Sequence, residues 1–249
     1  MIKAVLFDLD GTLLNRDASV RSFVENQYER LFNHLKHIPK EIYIERFLTL
    51  ENRGYVWKDT VYTQLKKELN ISSLTVEELL NDYVCEFRQH CIPFEGLREM
   101  LDELKNLNVK LGIITNGFGH FQLENIKDKK KEKDFNSIII SEWEGIKKPN
   151  LEIFQRALKK LQVAPSTSVY IGDHPLNDIE PANLVGMVSI WKRDVAWQNI
   201  KAQFIIEQLI EIPAIIISLI VECFTFFRLS FPTKSLKKHQ TSKFDKNSR

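Results

Sequence analysis

The chain is poor in the residues that mark several protein classes. It has 9 glycines, 8 prolines and 3 cysteines among 249 residues. The low glycine and proline content excludes collagen-like and low-complexity chains, and a hydrophobic fraction of 43% is enough for a buried core. Cys85, Cys91 and Cys223 form no CxxC pair, so the sequence indicates neither a disulfide framework nor a zinc site. The length fits one large domain or one domain with an insertion.

A secretory signal is also missing from the start of the sequence. A short apolar run, residues 4–7, is followed at once by the acidic residues Asp8 and Asp10. Together with the small, odd number of cysteines, this pattern predicts free thiols and a cytoplasmic protein.

The formal net charge of +2 is the sum of two unlike parts. Residues 228–249 hold seven lysines and arginines and one aspartate, a net +6, so the other 227 residues carry −4. A mildly acidic body predicts that nucleic acid is not a partner. Residues 212–227, ahead of the basic tail, are apolar but shorter than the roughly 20 residues of a spanning helix. We therefore favour a segment packed on protein, with membrane association through the basic tail as the alternative.

Five short apolar runs alternate with amphipathic stretches along the chain. Continuous apolar runs are typical of strands that are buried on both faces of a parallel sheet. The predicted strands are residues 2–7, 109–114, 138–140, 169–171 and 187–191. The predicted helices are residues 97–107, 151–161, 177–185 and 202–212. This alternation predicts an α/β fold with a Rossmann-like, doubly wound parallel sheet.

A long helical block interrupts the alternation after the first strand. Residues 16–90 have the pattern of successive amphipathic helices, in which Leu31 and Leu35 share one face. Pro93 and Gly96 mark the return to the α/β pattern. The predicted domains are a core of residues 1–15 and 91–212, a helical cap at 16–90 and a C-terminal extension at 213–249.

The most informative segment is Asp8-Leu9-Asp10-Gly11-Thr12-Leu13, directly after the first strand. Ligands of α/β sheets bind beyond the carboxyl ends of the strands, where Asp8 is expected to lie. Gly11 permits a turn that brings Asp10 close. Adjacent carboxylates repel unless a cation neutralises them or one keeps a proton, and Mg²⁺ prefers oxygen ligands of this type. An exposed turn with two solvated acids is the alternative that this segment alone leaves open.

Three further polar segments follow later apolar runs. Thr115-Asn116-Gly117 offers a hydroxyl and backbone N–H groups to phosphate oxygens, although Asn-Gly is also a common turn pair. Lys147-Lys148-Pro149-Asn150 stands just before the helix predicted from residue 151, and a lysine there is either a cation for a bound anion or a surface residue. Residues 172–178 read Gly-Asp-His-Pro-Leu-Asn-Asp, and the last acid also suits the start of a helix.

In this order, the four segments resemble the four motifs of the haloacid dehalogenase superfamily. The resemblance covers residues 1 to about 190, and the helical block resembles the cap that this family inserts after its first motif. It implies a Mg²⁺-dependent phosphohydrolase that acts on small phosphorylated metabolites through an aspartyl-phosphate. The sequence leaves open whether the protein is a monomer or a homodimer.

The resemblance also implies a role for each motif residue. Asp8 is implied as the nucleophile and Asp10 as the general acid and base. The residues implied to hold Mg²⁺ are Asp8, Asp10 (through its carbonyl) and Asp173. The residues implied to hold the phosphate are Thr115, Asn116 and Lys148. The residues implied to orient these groups are Asp178 and Asn177.

Two other functions fit the same fold. A 2-haloacid dehalogenase needs no metal and typically replaces the second acid of the first motif, so Asp10 and Asp173 argue against that function. A non-catalytic protein that binds a phosphorylated ligand has no need for Asp10. The sequence does not decide whether Arg53, Trp57 and Lys58 of the cap contact the substrate.

Overall fold

The computed structural model describes residues 1–127 and 133–230, so the basic tail after residue 230 lies outside the described residues. Six parallel strands form one sheet in the order β3-β2-β1-β4-β5-β6. Their bounds are β1 Ala4–Phe7, β2 Lys110–Thr115, β3 Ser137–Ile140, β4 Ser168–Gly172, β5 Val188–Lys192 and β6 Phe204–Ile206. This sheet confirms the predicted α/β fold with a doubly wound parallel sheet.

Strand β1 lies inside the sheet and pairs with both β2 and β4. Because side chains alternate along a strand, Val5 and Phe7 join one apolar cluster while Ala4 and Leu6 join the other. All four side chains are fully buried. Helices therefore cover both faces of the sheet, and the loops at its carboxyl edge remain as the place for a ligand.

Five helices between residues 16 and 86 form the block that follows β1. They are α1 Arg16–Arg30, α2 Phe32–Leu35, α3 Lys40–Glu51, α4 Lys58–Glu68 and α5 Val76–Glu86. Helix α5 begins at a capping box, in which Thr75 and Glu78 satisfy each other's backbone N–H groups. The chain passes between these helices and the sheet twice, and the two passages are hydrogen-bonded: the N–H of Asn15 donates to Ile92 at 2.8 Å.

The remaining helices flank the sheet or follow it. They are α6 Leu97–Asn106, α7 Gly119–Lys127, α8 Ser141–Glu144, α9 Leu151–Leu161, α10 Glu180–Val185 and α11 Ile212–Ser230. Helix α9 begins at Asn150, whose side chain accepts the N–H of Glu152 at 2.9 Å. The predicted helix at 177–185 is in fact a π-helical turn, Pro175–Ile179, that continues into α10.

The predicted helix at 202–212 is wrong. Residues Phe204–Ile206 form strand β6, which pairs with β5 in the register Ile190↔Phe204. A helix begins only at Ile212, with Pro213 in its first turn, where proline is tolerated. The three apolar residues of β6 gain a pairing partner at the sheet edge, and this long-range pairing outweighs the local helical pattern.

Helix α11 packs on the core through its first turns. Ile212 and Ile216 are fully buried, whereas Ile217 and Val221 are exposed. The first turns of the C-terminal extension therefore pack on the core. Within the described part of the chain, no helix combines the length and hydropathy needed to cross a bilayer.

Candidate active site

Four polar segments meet at the carboxyl edge of the sheet. Asp8 comes directly after β1, Thr115 ends β2 and Asp173 directly follows β4. The backbone N–H of Asp8 donates to the carbonyl of Ile171 at 2.8 Å, which extends the pairing of β1 with β4 into the site. Lys148 enters from the loop between α8 and α9, so its ammonium reaches a carboxylate 140 positions away in the sequence.

Lys148 lies at the centre of a buried polar cluster. Its Nζ donates to Asp8 Oδ1 at 2.5 Å, to Asp178 Oδ1 at 2.6 Å and to the hydroxyl of Tyr170 at 3.1 Å. An ammonium has three donors, so every one of them is used. Burial opposes the charge on Lys148, but Asp178 and Asp8 outweigh it and raise the pKa of the lysine well above its ordinary value. Lys148 therefore stays a cation.

Three carboxylates face this single ammonium. Oxygens of Asp8, Asp173 and Asp178 lie within 4.8 Å of one another. Thr12 Oγ1 bridges two of them, at 3.5 Å from Asp8 Oδ2 and 3.4 Å from Asp173 Oδ1. When all three acids are ionised, the cluster has three negative charges against one positive. A divalent cation would balance this charge, and carboxylate oxygens are the ligands that Mg²⁺ prefers.

Burial changes the protonation of two of these acids. It raises the pKa of Asp8 to about 7, with Asp178 and Asp10 adding to the rise and Lys148 opposing it. Burial, together with Asp8, also raises the pKa of Asp173 well above its ordinary value. In the absence of a second cation, the cluster therefore keeps protons near neutral pH.

Two glycines make room for the carboxylates. Gly11 has a φ of +88°, and a Cβ at this position would lie 2.4 Å from Asp173 Oδ2. A Cβ on Gly172 would lie 2.4 Å from the Cβ of Asp178. A side chain at either glycine would displace an acid of the cluster, and at Gly11 the positive φ is a second reason for glycine.

Asp10 has a different partner from Asp8, although only two residues separate them. Its Oδ2 accepts a hydrogen bond at 2.7 Å from Nε2 of Gln122, a buried residue of α7. Asp8 faces a buried ammonium, whereas Asp10 faces an amide and lies outside the cluster of three acids. The two carboxylates of one turn therefore have separate environments, as two groups with separate chemical roles require.

The side chain of Asn116 holds the loop that carries Lys148. Its Oδ1 accepts the backbone N–H of Lys148 at 2.9 Å, and its Nδ2 donates to the carbonyl of Lys148 at 3.1 Å. Both ends of the amide are engaged, so this side chain positions the lysine. Thr115 is buried beside it, with Oγ1 3.1 Å from the amide nitrogen of Gln122.

His174 stabilises the turn after β4. Its Nδ1 accepts the backbone N–H groups of Leu176 at 3.1 Å and Asn177 at 3.2 Å. Asp178 Oδ2 accepts the backbone N–H of His174 at 3.0 Å. Burial lowers the pKa of His174, which favours the neutral ring. Since Nδ1 is an acceptor, the proton lies on Nε2, which donates to the hydroxyl of Tyr55 in the cap at 2.7 Å.

Comparison with known proteins places this site in a family. A profile of haloacid dehalogenase-like hydrolases matches residues 5–192. The chain belongs to the haloacid dehalogenase-like hydrolases. It is 31% identical over 199 residues to the glyceraldehyde 3-phosphate phosphatase of Methanocaldococcus jannaschii, an alignment that covers 76% of this chain and 84% of that one. The predicted family and the prediction of a hydrolase are thereby confirmed.

Two further relatives agree with this assignment. The phosphoserine phosphatase of Thermus thermophilus is 26% identical over 220 residues, which cover 76% of this chain and 88% of that one. The magnesium-bound structure of the hydrolase YfnB of Bacillus subtilis superposes with a TM-score of 0.68 at 23% identity. It covers 86% of this chain and 98% of that one, and it supports the haloacid dehalogenase-like fold.

In this haloacid dehalogenase-like hydrolase, the loop between α3 and α4 reaches from the cap to the core. We call residues 52–57 the cap loop. The guanidinium of Arg53 forms two hydrogen bonds with the carboxylate of Asp194, after β5. Tyr55 contacts His174 at the turn after β4. Two side chains of the cap loop thus bind two core loops that border the site.

Trp57 of the cap loop contacts a third core loop. The ring of Trp57 lies 4.4 Å, centroid to centroid, from that of Phe118, which follows the Thr115-Asn116-Gly117 turn. Its other neighbours are Tyr83 of α5 and Phe121 of α7. Trp57 therefore packs between cap and core.

Lys58 belongs to a buried ion network of the cap. Its Nζ donates to Glu51 at 3.1 Å, and Arg16 contacts the same carboxylate at 2.5 Å. Lys58 is 2% exposed, and burial lowers its pKa to about 8. The network holds two cations and one anion. Arg53, Trp57 and Lys58 are thus all engaged with other protein groups in this structure.

The structure brings most of the sequence-predicted site residues to one edge of the sheet. Asp8, Asp173, Asp178 and Lys148 form one cluster, while Asp10 lies beside it with its own partner. Asn177 contributes its backbone N–H to His174. Sequence reasoning missed Gln122, Tyr170, Thr12 and Tyr55. Thr12 lies inside the first motif, whereas Tyr170 lies in an apolar strand and gives no signal there.

Proposed function

We propose that this protein is a Mg²⁺-dependent phosphohydrolase that cleaves small phosphomonoesters through an aspartyl-phosphate. What supports this function is the separation of the two acids of the first motif. Asp8 is held by the buried ammonium of Lys148, and Asp10 is held apart from that cluster by Gln122. One carboxylate is thus placed for attack and the other for proton transfer. The phosphatase names of the relatives support the same reaction class.

The reaction has two steps. Lys148 holds Oδ1 of Asp8, which leaves Oδ2 to attack phosphorus. As that bond forms, the bond from phosphorus to the ester oxygen breaks, and a proton moves from Asp10 to the leaving oxygen. Water then attacks the aspartyl-phosphate and gives a proton to Asp10, which releases phosphate and restores Asp8. Positioning and charge neutralisation supply most of the catalysis in such reactions.

Asp8, Asp173 and the backbone carbonyl of Asp10 are the groups that would hold Mg²⁺. The unbalanced charge of the cluster of three acids and the oxygen donors fit that cation. When bound, it would offset the repulsion between the Asp8 carboxylate and the phosphate dianion. Asp178 has both oxygens engaged, by Lys148 and by the N–H of His174, so we assign it to orienting Lys148.

The substrate class that we propose is a small phosphorylated metabolite. The aligned relatives are named for glyceraldehyde 3-phosphate and phosphoserine, both three-carbon phosphomonoesters. The cap loop contacts three core loops around the site, which suits a substrate small enough to fit beneath it.

Phosphate release from p-nitrophenyl phosphate tests the reaction class. The full-length protein should release phosphate only with Mg²⁺, and a chelator should stop the reaction. Chloride release from 2-chloropropionate is measured in the same buffer. Chloride release without phosphate release would favour a dehalogenase, and the absence of both would overturn the proposed reaction and leave a binding protein as the alternative. A panel containing glyceraldehyde 3-phosphate and phosphoserine then ranks substrates by kcat/KM.

Mg²⁺ should raise the melting temperature, and by more above pH 7 than below it. Burial raises the pKa of Asp8 to about 7 and also raises that of Asp173. The folded metal-free protein therefore keeps protons that the unfolded chain loses from pH 3.8 upward, so its stability falls as the pH rises through 7. Mg²⁺ must displace these protons, which makes binding tighter at higher pH.

Scanning calorimetry with and without MgCl₂, on either side of pH 7, measures this difference. Asp173→Asn removes one of the proposed ligands and should lose most of the Mg²⁺-dependent increment. Asp17→Asn, an exposed acid of α1, should keep it. An equal rise in melting temperature with Mg²⁺ on both sides of pH 7 would contradict the proposed displacement of protons by Mg²⁺.

A further inference from the structure

The amide of Gln122 connects two loops of the site. Its Nε2 lies 2.7 Å from Asp10 Oδ2 and 2.9 Å from the carbonyl oxygen of Asn116, and Thr115 Oγ1 is 3.1 Å away. The side chain is 4% exposed. A buried amide with two N–H groups directed at acceptors from different loops fixes those loops relative to each other.

A hydrogen bond to the oxygen of this amide sets its orientation. Asn125, one turn further along α7, donates from Nδ2 to Oε1 of Gln122 at 3.3 Å. An ionised carboxylate only accepts hydrogen bonds, so the NH₂ end of Gln122 is the end that must face Asp10. Both neighbours therefore select the same rotamer of the amide.

Gly117 makes room for this arrangement. It has a φ of +144°, and a Cβ at this position would lie 2.8 Å from Cγ and 2.9 Å from Nε2 of Gln122. The third residue of the Thr115-Asn116-Gly117 turn is thus in close contact with the side chain that holds Asp10. The absence of a side chain at Gly117 therefore lets the turn pack closely against Gln122.

We propose that Gln122 is a positioning residue for proton transfer by Asp10, an inference that rests on the proposed phosphohydrolase function. Its N–H occupies Oδ2, which leaves Oδ1 as the oxygen that carries the proton. In the first step that proton moves to the ester oxygen as the phosphorus–oxygen bond breaks. In the second step Oδ1 takes a proton from the attacking water. Gln122 keeps its hydrogen bond to Oδ2 through both steps, so the carboxyl group does not rotate between them.

The leaving group distinguishes positioning of Asp10 from a merely structural role. An alkoxide is a poor leaving group and needs a proton in the transition state, whereas p-nitrophenolate leaves without one. A misplaced Asp10 therefore lowers kcat/KM for alkyl phosphates and spares kcat/KM for p-nitrophenyl phosphate, since kcat/KM reports formation of the aspartyl-phosphate. A general loss of packing lowers kcat/KM equally for both substrates.

The test compares kcat/KM for an alkyl phosphate and for p-nitrophenyl phosphate in the full-length protein, because kcat/KM leaves out the attack of water that both substrates share. General acid catalysis contributes about 10²-fold or more, so Gln122→Leu should lower kcat/KM for the alkyl phosphate by about 10- to 100-fold. The value of kcat/KM for p-nitrophenyl phosphate should change little. Gln122→Glu keeps the size of the side chain but replaces the NH₂ donor, and should show the same selective loss. Glu124→Gln, at a half-buried residue of α7 that pairs with Arg88 and Lys127, is the matched control and should leave the ratio unchanged.

A double-mutant cycle completes the test. With Asp10→Asn as the background, Gln122→Leu should have no further effect on the alkyl phosphate, because the group that it positions has been removed. Equal losses on both substrates, or an additive effect in the cycle, would overturn the role of Gln122. A wild-type protein that cleaves neither phosphate ester would instead overturn the proposed function, and this inference would fall with it.

Discussion

Asp8→Asn should lower the rate of phosphate release from an aryl phosphate by at least about 10⁴-fold, as expected when the nucleophile of a covalent mechanism is removed. An amide is a poor nucleophile and cannot form the aspartyl-phosphate. The substitution also removes the negative charge that Lys148 contacts at 2.5 Å. Steady-state kinetics with Mg²⁺ present measure the loss.

The same variant should remain folded. Burial disfavours the ionised form of Asp8, so a neutral amide of nearly equal size keeps the packing and relieves crowding among the three acids. We expect a melting temperature close to that of the wild type. Asp17→Asn serves as the control for activity. Wild-type turnover by Asp8→Asn would rule out Asp8 as the nucleophile.

Lys148→Met should damage both stability and activity. The lysine is the cation that Asp8 and Asp178 share, and Met leaves two buried carboxylates without it. Removing one partner of a buried ion pair typically costs about 3–5 kcal/mol, so the free energy of unfolding should fall by about that amount in denaturant titrations. Turnover should fall by on the order of 10²–10³-fold, the effect of losing one preorganised donor to the transferring oxygens.

The neighbouring lysine provides a matched control. Lys147 has the same side chain one position earlier but is exposed, so Lys147→Met should change neither quantity. Acidification should partly restore the stability of Lys148→Met, because protonation of Asp8, whose pKa burial raises to about 7, removes its uncompensated charge. A variant as stable as wild type at neutral pH would show that Lys148 is not needed to neutralise the cluster.

The cluster of acids was predictable because of how parallel sheets are built. Asp8, Thr115 and Asp173 each end or follow a continuous apolar run, and the carboxyl ends of parallel strands meet at one edge. The order of polar segments along the chain therefore carried information about their proximity. Lys148 follows no strand directly, and the resemblance to a family supplied its place.

Other features depend on tertiary contacts that a local pattern does not encode. The apolar residues of β6 read as part of a helix because their partner, β5, cannot be recognised from within the segment. Gln122 lies outside the four motifs, and its contact with Asp10 appears only once α7 lies against the first motif. Asn116 was predicted to hold phosphate, and the structure shows both ends of its amide on Lys148.

The cap loop also adopts an uncommon backbone. Asn52, Arg53 and Gly54 all have positive φ, at 46°, 53° and 88°. A non-glycine residue rarely adopts this conformation, and it persists where the surroundings enforce it. The ion pair of Arg53 with Asp194 is one such constraint, and separating the two residues would release it.

Under the proposed function, entry of a substrate beneath the cap loop requires this loop to leave the three core loops that it contacts. Only molecules with an open cap loop then bind substrate. The observed association rate constant is the intrinsic one multiplied by the open fraction, and the apparent Kd is the intrinsic Kd divided by that fraction. Loosening the contact of Arg53 with Asp194 would increase the open population, at the expense of water exclusion during turnover. The equilibrium between the open and closed cap loop thereby affects both substrate affinity and the rate of turnover.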